Sequence, residues 1–405
     1  MPEQLPPEIL DRILDFLHDD RRTLSACALA GRVLLPTARF HRFDNVKLFP
    51  GQVQTLISLV DSTPELARAI TTLRIHPVQL DPSLRGHLVL DLLSRLPTLS
   101  ALQIPASLSK LFPGETLRGV LASHVPSLTS LSLYGYPSQI SPAEFLHTIS
   151  ALPLLEDITL LHIKMPSVSD AEDVPYSLPP PPRLHHIKSR RSDGVSLIGR
   201  WLQAHPSSCG LRSWDELITE PEDAKRFSEV SAICGGTLKD LQVKFIPLGR
   251  MAAALREADE FTLSRFSALE TCTLRFAFGE MCVAANQSLA EIPALVSQLT
   301  ASSLRILTVA LVVDNIEDLR SLNSECAVRK LSPAYFDDMR VLDWSSIERT
   351  LTRERLGALR KFVLEGQGSS QLLEKYIQTT CPELHARRIV SLVAADTKDA
   401  WWPRS

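Results

Sequence analysis

The chain has 405 residues, of which 44% are hydrophobic and 22% charged, with a formal net charge of −3. That composition supports a sizeable core and excludes generic disorder, and the length allows two or three domains or one elongated repeat array. The near-neutral balance gives no electrostatic case for nucleic acid or an anionic membrane, and no window of about 18 residues lacks charges and prolines, so no spanning helix is expected.

The first predicted element is a helix opened by Pro6 and Pro7, which suit a first turn, with Glu8 placed to complement the helix dipole. Advancing about 100° per residue, Ile9, Leu10, Ile13, Leu14, Phe16 and Leu17 fall within an arc of about 160°. A single core contact needs an apolar stripe only about 100° wide. The segments around Leu24 to Leu29 and Leu35 to Phe43 can cover part of it. A unit of about 45 residues is too small to bury the rest alone, so a neighbour must.

The order Leu5-Pro6-x-Glu8-Ile9-Leu10-x-x-Ile13-Leu14-x-Phe16-Leu17, followed by Leu24 and Cys27-Ala-Leu29, resembles the F-box in its fungal F-box-like form. The resemblance implies a three-helix module over 1–48 that docks the adaptor subunit of an SCF-type cullin–RING ubiquitin ligase, and through it a cullin. Carried over position by position, it implies adaptor contacts at Leu5, Pro6, Ile9, Ile13, Leu17 and Leu34. Where the family has a Cys-Arg-x-Trp run, this chain has Gly31-Arg32-Val33-Leu34, so an aliphatic side chain replaces the aromatic anchor.

Beyond the module one pattern recurs: two apolar positions spaced by three, then an apolar-x-apolar step. It is clearest in LPTLSALQI (Leu96 to Ile104), VPSLTSLSL (Val125 to Leu133) and LPLLEDITL (Leu152 to Leu160). Its anchors are Leu73, Leu102, Leu131, Ile158, Ile187, Trp214, Leu241, Cys272, Leu307, Leu342 and Phe362, and the first seven keep a period near 28. That period lies in the leucine-rich-repeat range of about 20–29 residues. The apolar-x-apolar step is a short strand with its apolar side chains inward, and amphipathic segments such as Gly114 to His124 and Ser141 to Leu152 supply helices between strands. One unit cannot hide its apolar face, whereas stacked units share a continuous core.

The expected fold is therefore an α/β solenoid, similar to the irregular leucine-rich-repeat horseshoe of F-box proteins. It would span 49–370, with a C-terminal helical cap and tail at 371–405 that includes Trp401 and Trp402. The Met165 to Arg183 stretch, acidic and ending in Pro179 to Pro182, is expected to be an exposed loop with polyproline II character.

In a horseshoe the residue between the two inward positions faces the concave side. Those residues are Arg74, Gln103, Ser132, Thr159, Lys188, Asp215, Gln242 and Thr273, continued by Thr308, Asp343 and Val363. Together they form the expected surface for a protein substrate.

No phosphate-binding loop, dinucleotide-binding turn or zinc-protease histidine pair is present, and no cofactor, metal or intrinsic catalysis is expected. Cys381 and His385 are separated by Pro382, which argues against a nucleophilic pair. Seven scattered cysteines without a CxxC pair indicate free thiols in a reducing compartment, cytoplasmic or nuclear, and the N-terminus lacks the pattern of a secretory leader. Two readings fit: a substrate-recruiting ligase subunit, or a repeat scaffold with a degenerate cap and no ligase link. Gly31 and the missing tryptophan favour the second.

Overall fold

A computed structural model describes residues 5–18, 20–75, 86–106, 117–135, 140–165, 174–190, 192–206, 210–245, 261–279, 291–314, 332–333, 336–366 and 369–394. The chain forms two compact units, 1–184 and 185–405.

The first unit opens with three helices, α1 (Pro7–Phe16), α2 (Arg21–Ala30) and α3 (Leu35–Asp44). Five parallel strands follow in chain order: β1 (Asn45–Leu48), β2 (Thr72–Ile75), β3 (Ala101–Pro105), β4 (Ser130–Tyr134) and β5 (Asp157–Leu161). Their register aligns Val46, Leu73, Leu102, Leu131 and Ile158 across neighbouring strands. Helices fill the intervals, among them Gly86–Ser94, Leu117–His124 and Pro142–Ser150. The last starts where expected because the Ser141 hydroxyl accepts the Glu144 amide at 3.1 Å.

Each repeat closes the same way. The amides of Leu99, Leu128 and Leu155 donate to the carbonyls of Leu96, Val125 and Leu152 at 3.1–3.3 Å. Pro97, Pro126 and Pro153 occupy the second position of that turn, where proline's fixed φ fits. The amide of Leu184 makes the same bond to Pro181. Met165, Pro180, Pro181 and Leu184 are buried while Pro179, Pro182 and Arg183 are exposed, so the proline run lies with one side on the core and one side in solvent. Pro181 and Pro182 stand where Leu152 and Pro153 stand one repeat earlier, because proline's apolar ring and lack of a needed amide both suit the turn. Residues 166–173 of that stretch lie outside the described residues.

The second unit holds seven parallel strands: β6 (His186–Arg190), β7 (Ser213–Ile218), β8 (Asp240–Phe245), β9 (Thr271–Gly279), β10 (Ile306–Asp314), β12 (Lys361–Gly366) and β13 (Val390–Ala394). The two-residue β11 (Ser332–Pro333) pairs antiparallel with β10. Ile187, Trp214, Leu241, Cys272, Leu307, Phe362 and Val390 share one register row. Large aromatics replace leucine inside: Trp214 stacks on Phe227 and Phe227 on Phe261, each at 4.8 Å between centroids, and Phe245 stacks on Phe276 at 5.1 Å. These pairs add to the area they bury. Each unit is thus an α/β repeat of parallel strands alternating with helices, a solenoid-like arrangement.

Three expectations are corrected. Leu342 anchors no strand: β10 pairs directly with β12, and the intervening chain forms a 3₁₀ turn at Phe336–Val341 and a helix at Trp344–Leu351. The Asp343 carboxylate accepts the Ser346 amide at 3.0 Å and the Trp344 indole donates to the Met339 carbonyl at 2.9 Å. These bonds hold the segment helical despite its apolar spacing. The stretch from Gln371 is not helical throughout, because helices Gln371–Thr380 and Pro382–Arg387 stop at Arg388, in the left-handed region with φ 54°. The apolar run after it, with Val390 and Val393, forms β13. Repeats also begin earlier than expected, with Val46 lying 27 residues before Leu73. Trp401 and Trp402 lie outside the described residues.

At Gly235, where the helix Pro221–Cys234 ends, a Cβ would sit 2.5 Å from the Ser231 carbonyl and 2.9 Å from that of Arg265. Both obstacles are backbone, so Gly235→Ala is expected to cost about 1–3 kcal/mol in urea unfolding.

Candidate functional site

Two surfaces answer to the expected site residues. The first is α1. The three-helix module has a small core of Leu14, Leu24 and Ala38, against which Leu17, Cys27, Ala28 and Leu34 pack. Two acidic side chains of α1, both exposed, also reach across to α3. The Thr37 hydroxyl of α3 donates to Asp11, and His41 Nε2 meets Asp15 Oδ1 at 2.8 Å. With its carboxylates spent on α3, the helix turns its remaining apolar side chains out: Leu5 is 56% exposed, Ile9 42%, Ile13 46% and Phe16 86%.

Of the six expected adaptor positions, Leu5, Pro6, Ile9 and Ile13 are exposed, whereas Leu17 and Leu34 are half-buried on the module's own core. Phe16 was placed on the apolar arc of the helix but not among the contacts. Its lack of any inward partner becomes visible only once α3 is in place. Leu29, Val33, Phe40 and Phe49 are exposed as well. Eight of the twelve large hydrophobics exposed among the described residues therefore lie in the first 49 positions. Exposed apolar side chains are thus concentrated in the three-helix module.

The second surface is the outward row of the strands. Lys47, Arg74, Gln103, Ser132 and Thr159 align in the first unit, as do Lys188, Asp215, Gln242, Thr273, Thr308, Val363 and Ser391 in the second. Asp343 does not belong to the row, because it caps a helix.

In the second unit the row is not a uniform solvated face. Asp215 Oδ2 receives Lys244 Nζ at 3.0 Å and Lys188 Nζ at 3.5 Å, and the Asp215 and Lys244 side chains are only 8% and 7% exposed. Burial is the main cause pushing the Lys244 ammonium down to about 8, opposed by the Asp215 carboxylate. Arg190, also buried, is held below its ordinary value by burial, with Asp215 and Glu216 pulling the other way. Arg275 reaches Glu365 at 3.3 Å across the intervening β10. Asp215 is thus an internal counterion, while Lys188 retains partial exposure.

On the inner face beside it, Glu216 occupies a position that leucine or valine fills in most strands, and its Oε2 accepts the Trp214 indole N–H at 3.0 Å. Burial, reinforced by the Asp223 charge, pushes this carboxyl up to about 8, and the indole hydrogen bond does not offset it. A carboxyl pKa raised from 4.5 means that the folded state grows less stable as pH climbs from about 4.5 to about 8. Glu216→Gln keeps the indole's acceptor and removes the titration. It is expected to stabilise the protein by about 1–3 kcal/mol at pH 8–9 and by nothing near pH 4, read from urea midpoints across pH.

Burial holds two of the described thiols protonated. Cys272 and Cys381 are buried, both pushed up to about 12 mainly by burial, and the Cys381 thiol sits 3.6 Å from the Trp344 carbonyl. Cys27, Cys234, Cys272 and Cys381 carry free thiols. Among the described residues no group of three or more histidine, cysteine or carboxylate side chains is placed to hold a metal, and no helix is long and apolar enough to cross a membrane. No protein-family model and no curated protein sequence matches the chain.

Proposed function

We propose that the chain is a substrate-recruiting subunit of an SCF-type cullin–RING ubiquitin ligase. In this reading α1 docks the adaptor through Leu5, Ile9, Ile13 and Phe16, and the outward rows of the strands hold a protein substrate. The observation that carries it is the second apolar side of α1, left outward although Leu14 and Leu17 already serve the module's core. Asp11 and Asp15 are engaged by α3 while the apolar side is left outward, an arrangement that suits a helix covered by another protein. Catalysis would belong to the assembled ligase and not to this chain. Arg74, Gln103, Ser132 and Thr159 on the first unit's strands, and Lys188, Gln242 and Thr273 on the second unit's, stay available to a substrate, and Asp215 acts by holding Lys244 and Lys188 in place.

A second reading, a repeat scaffold without a ligase link, draws support from Leu17 and Leu34. Two of the six expected contacts are drawn into the module's own core. Calorimetric titration of the full chain with purified adaptor separates the two. Saturable one-to-one binding supports the ligase reading, and no heat at adaptor concentrations up to about 100 µM, where even a weak specific complex would register, overturns it.

A further inference from the structure

The turns that lead into the second unit's strands place one residue per repeat on a common line. Arg212, Lys239, Glu270, Arg305 and Arg360 each stand two positions before the inward anchor of β7, β8, β9, β10 and β12. Backbone bonds pin them in place. The amides of Lys239, Glu270, Arg305 and Arg360 donate in turn to the carbonyls of Arg212, Lys239, Glu270 and Arg305, each at 2.8 Å. At about 4.8 Å per strand the line is about 19 Å long. The equivalent positions of the first unit are Asp44, Thr71, Ser100, Thr129 and Glu156, which include no cation. The repeat itself therefore does not require basic residues there.

All four cations of the line are exposed, Lys239 by 51% and Arg305 by 59% of the side chain. Glu270 stands between those two, with Lys239 Nζ at 2.7 Å from Oε1 and Arg305 Nη1 at 3.8 Å from Oε2. It keeps its charge, because the Lys239 hydrogen bond above all holds its carboxyl below its ordinary value. Glu270 thus offsets one of the four cations. Nearby, Lys361 offsets the exposed Asp240, and Arg353 offsets Glu354. A surplus of three positive charges remains along the line, on a chain whose formal net charge is −3. Among the described residues Arg212, Arg360 and Lys361 make no ion pair.

We propose that this ridge, Arg212, Lys239, Arg305 and Arg360 with Lys361, is a docking surface for an acidic segment of a partner protein. The inference goes beyond the functional reading above and uses neither α1 nor the outward strand rows. An extended chain rises about 3.3 Å per residue, so about six residues of the partner span the line. Guanidinium forks suit carboxylates, which each can hold through two oxygens. Nucleic acid fits less well. Its continuous phosphates would meet Glu270 and Asp240, and the line carries no aromatic side chain on which a base could stack.

The test is fluorescence anisotropy of the full chain with a fluorescein-labelled octaglutamate peptide, at about 50 mM and about 300 mM salt. Wild type should bind saturably, and more weakly at the higher salt as exposed charges are screened. Arg212→Gln and Arg360→Gln should each weaken binding about threefold, and the triple variant with Lys361→Gln about twentyfold, as expected for exposed ion pairs. Glu270→Gln should act the other way and tighten binding about threefold, because it releases Lys239 and Arg305; damage to the fold could not do that. Circular dichroism should show unchanged folds, since the substituted side chains lie at the surface. No saturable binding up to about 1 mM protein at the lower salt, or undiminished binding by the triple variant, overturns the proposal. Tighter binding of an eight-residue oligothymidylate than of octaglutamate overturns the assignment to an acidic protein segment. Adaptor binding by the same variants should match wild type, so the ridge and the docking helix can fail separately.

Discussion

Asp215→Ala is expected to destabilise the second unit by about 3–5 kcal/mol, the usual consequence of removing one partner of a buried ion pair. The Asp215 carboxylate sits among three cations on neighbouring strands: Lys244 at 3.0 Å, Lys188 at 3.5 Å, and Arg190, which it acts on electrostatically. Lys244 and Arg190 are buried, so bulk water cannot replace the lost charge. Without Asp215 the Lys244 ammonium, already pushed down to about 8, falls further. The part of the deficit carried by this ammonium is full where it is charged in both folded proteins and fades as pH rises to about 8, where the wild-type lysine is itself losing its proton. Urea unfolding at pH 7 and pH 9.5 should therefore give the larger loss at pH 7. The double variant Asp215→Ala, Lys244→Met should recover most of the deficit, because it exchanges a buried charge for apolar volume. A loss under about 1 kcal/mol would mean that the cluster is hydrated and the outward face open at β7.

This expectation depends on register, which was largely legible in the sequence. Ten of the eleven anchors read from the repeat spacing lie in the inward rows, because each must bury an apolar side chain at the same height on its strand. The outward positions follow from the inward ones, so Arg74 through Thr159 share one register row in the first unit and Lys188 through Thr273 another in the second. The next outward row was not read. Lys244 and Arg275 lie two residues beyond Gln242 and Thr273, and charges at the same height on adjacent strands meet only when the strand is extended that far.

Leu342 misled because apolar spacing alone does not separate a short strand from a capped helix; the cap at Asp343 was the missing signal. β1 was hidden because its four residues, Asn-Val-Lys-Leu, follow directly on α3 inside the span of the F-box resemblance. The proline run was read by composition, which favours a solvated loop, whereas its position one repeat after Leu152 and Pro153 was the better guide. On α1 the apolar excess was legible, but which apolar residues remained outside was not. That division depends on α3 taking Asp11 and Asp15, a contact between residues 26 apart.

The same division makes α1 an unusually clean place to test docking. Ile9 and Ile13 are one turn apart, on the side that also carries Leu5 and Phe16, and close to half of each isoleucine remains accessible. Covering that remainder is worth about 2 kcal/mol per residue at 25 cal/mol per Å². A carboxylate brought into the same contact adds the penalty of a desolvated charge. The double variant Ile9→Asp, Ile13→Asp is therefore expected to weaken adaptor binding by at least ~4 kcal/mol, about a thousandfold. Its own fold should tolerate the change. Neither side chain belongs to the core of Leu14, Leu24 and Ala38, and the difference in helix propensity is only about 0.5 kcal/mol per residue.

Substitutions at Leu17 or Leu34 would not separate the two effects, because those side chains pack on that core while also standing at expected contact positions. Leu14→Ala serves as the opposite control: it should loosen the three-helix module and lower its unfolding temperature, by about 2–5 kcal/mol of lost packing, without removing any exposed contact. Wild-type affinity in the Ile9→Asp, Ile13→Asp protein, with its fold intact by circular dichroism, would separate the exposed face of α1 from adaptor binding. Phe16→Asp extends the test to a residue outside the family's contact positions. At 86% exposed it contributes almost nothing to the module's stability, so any loss of affinity there reports contact with the partner alone.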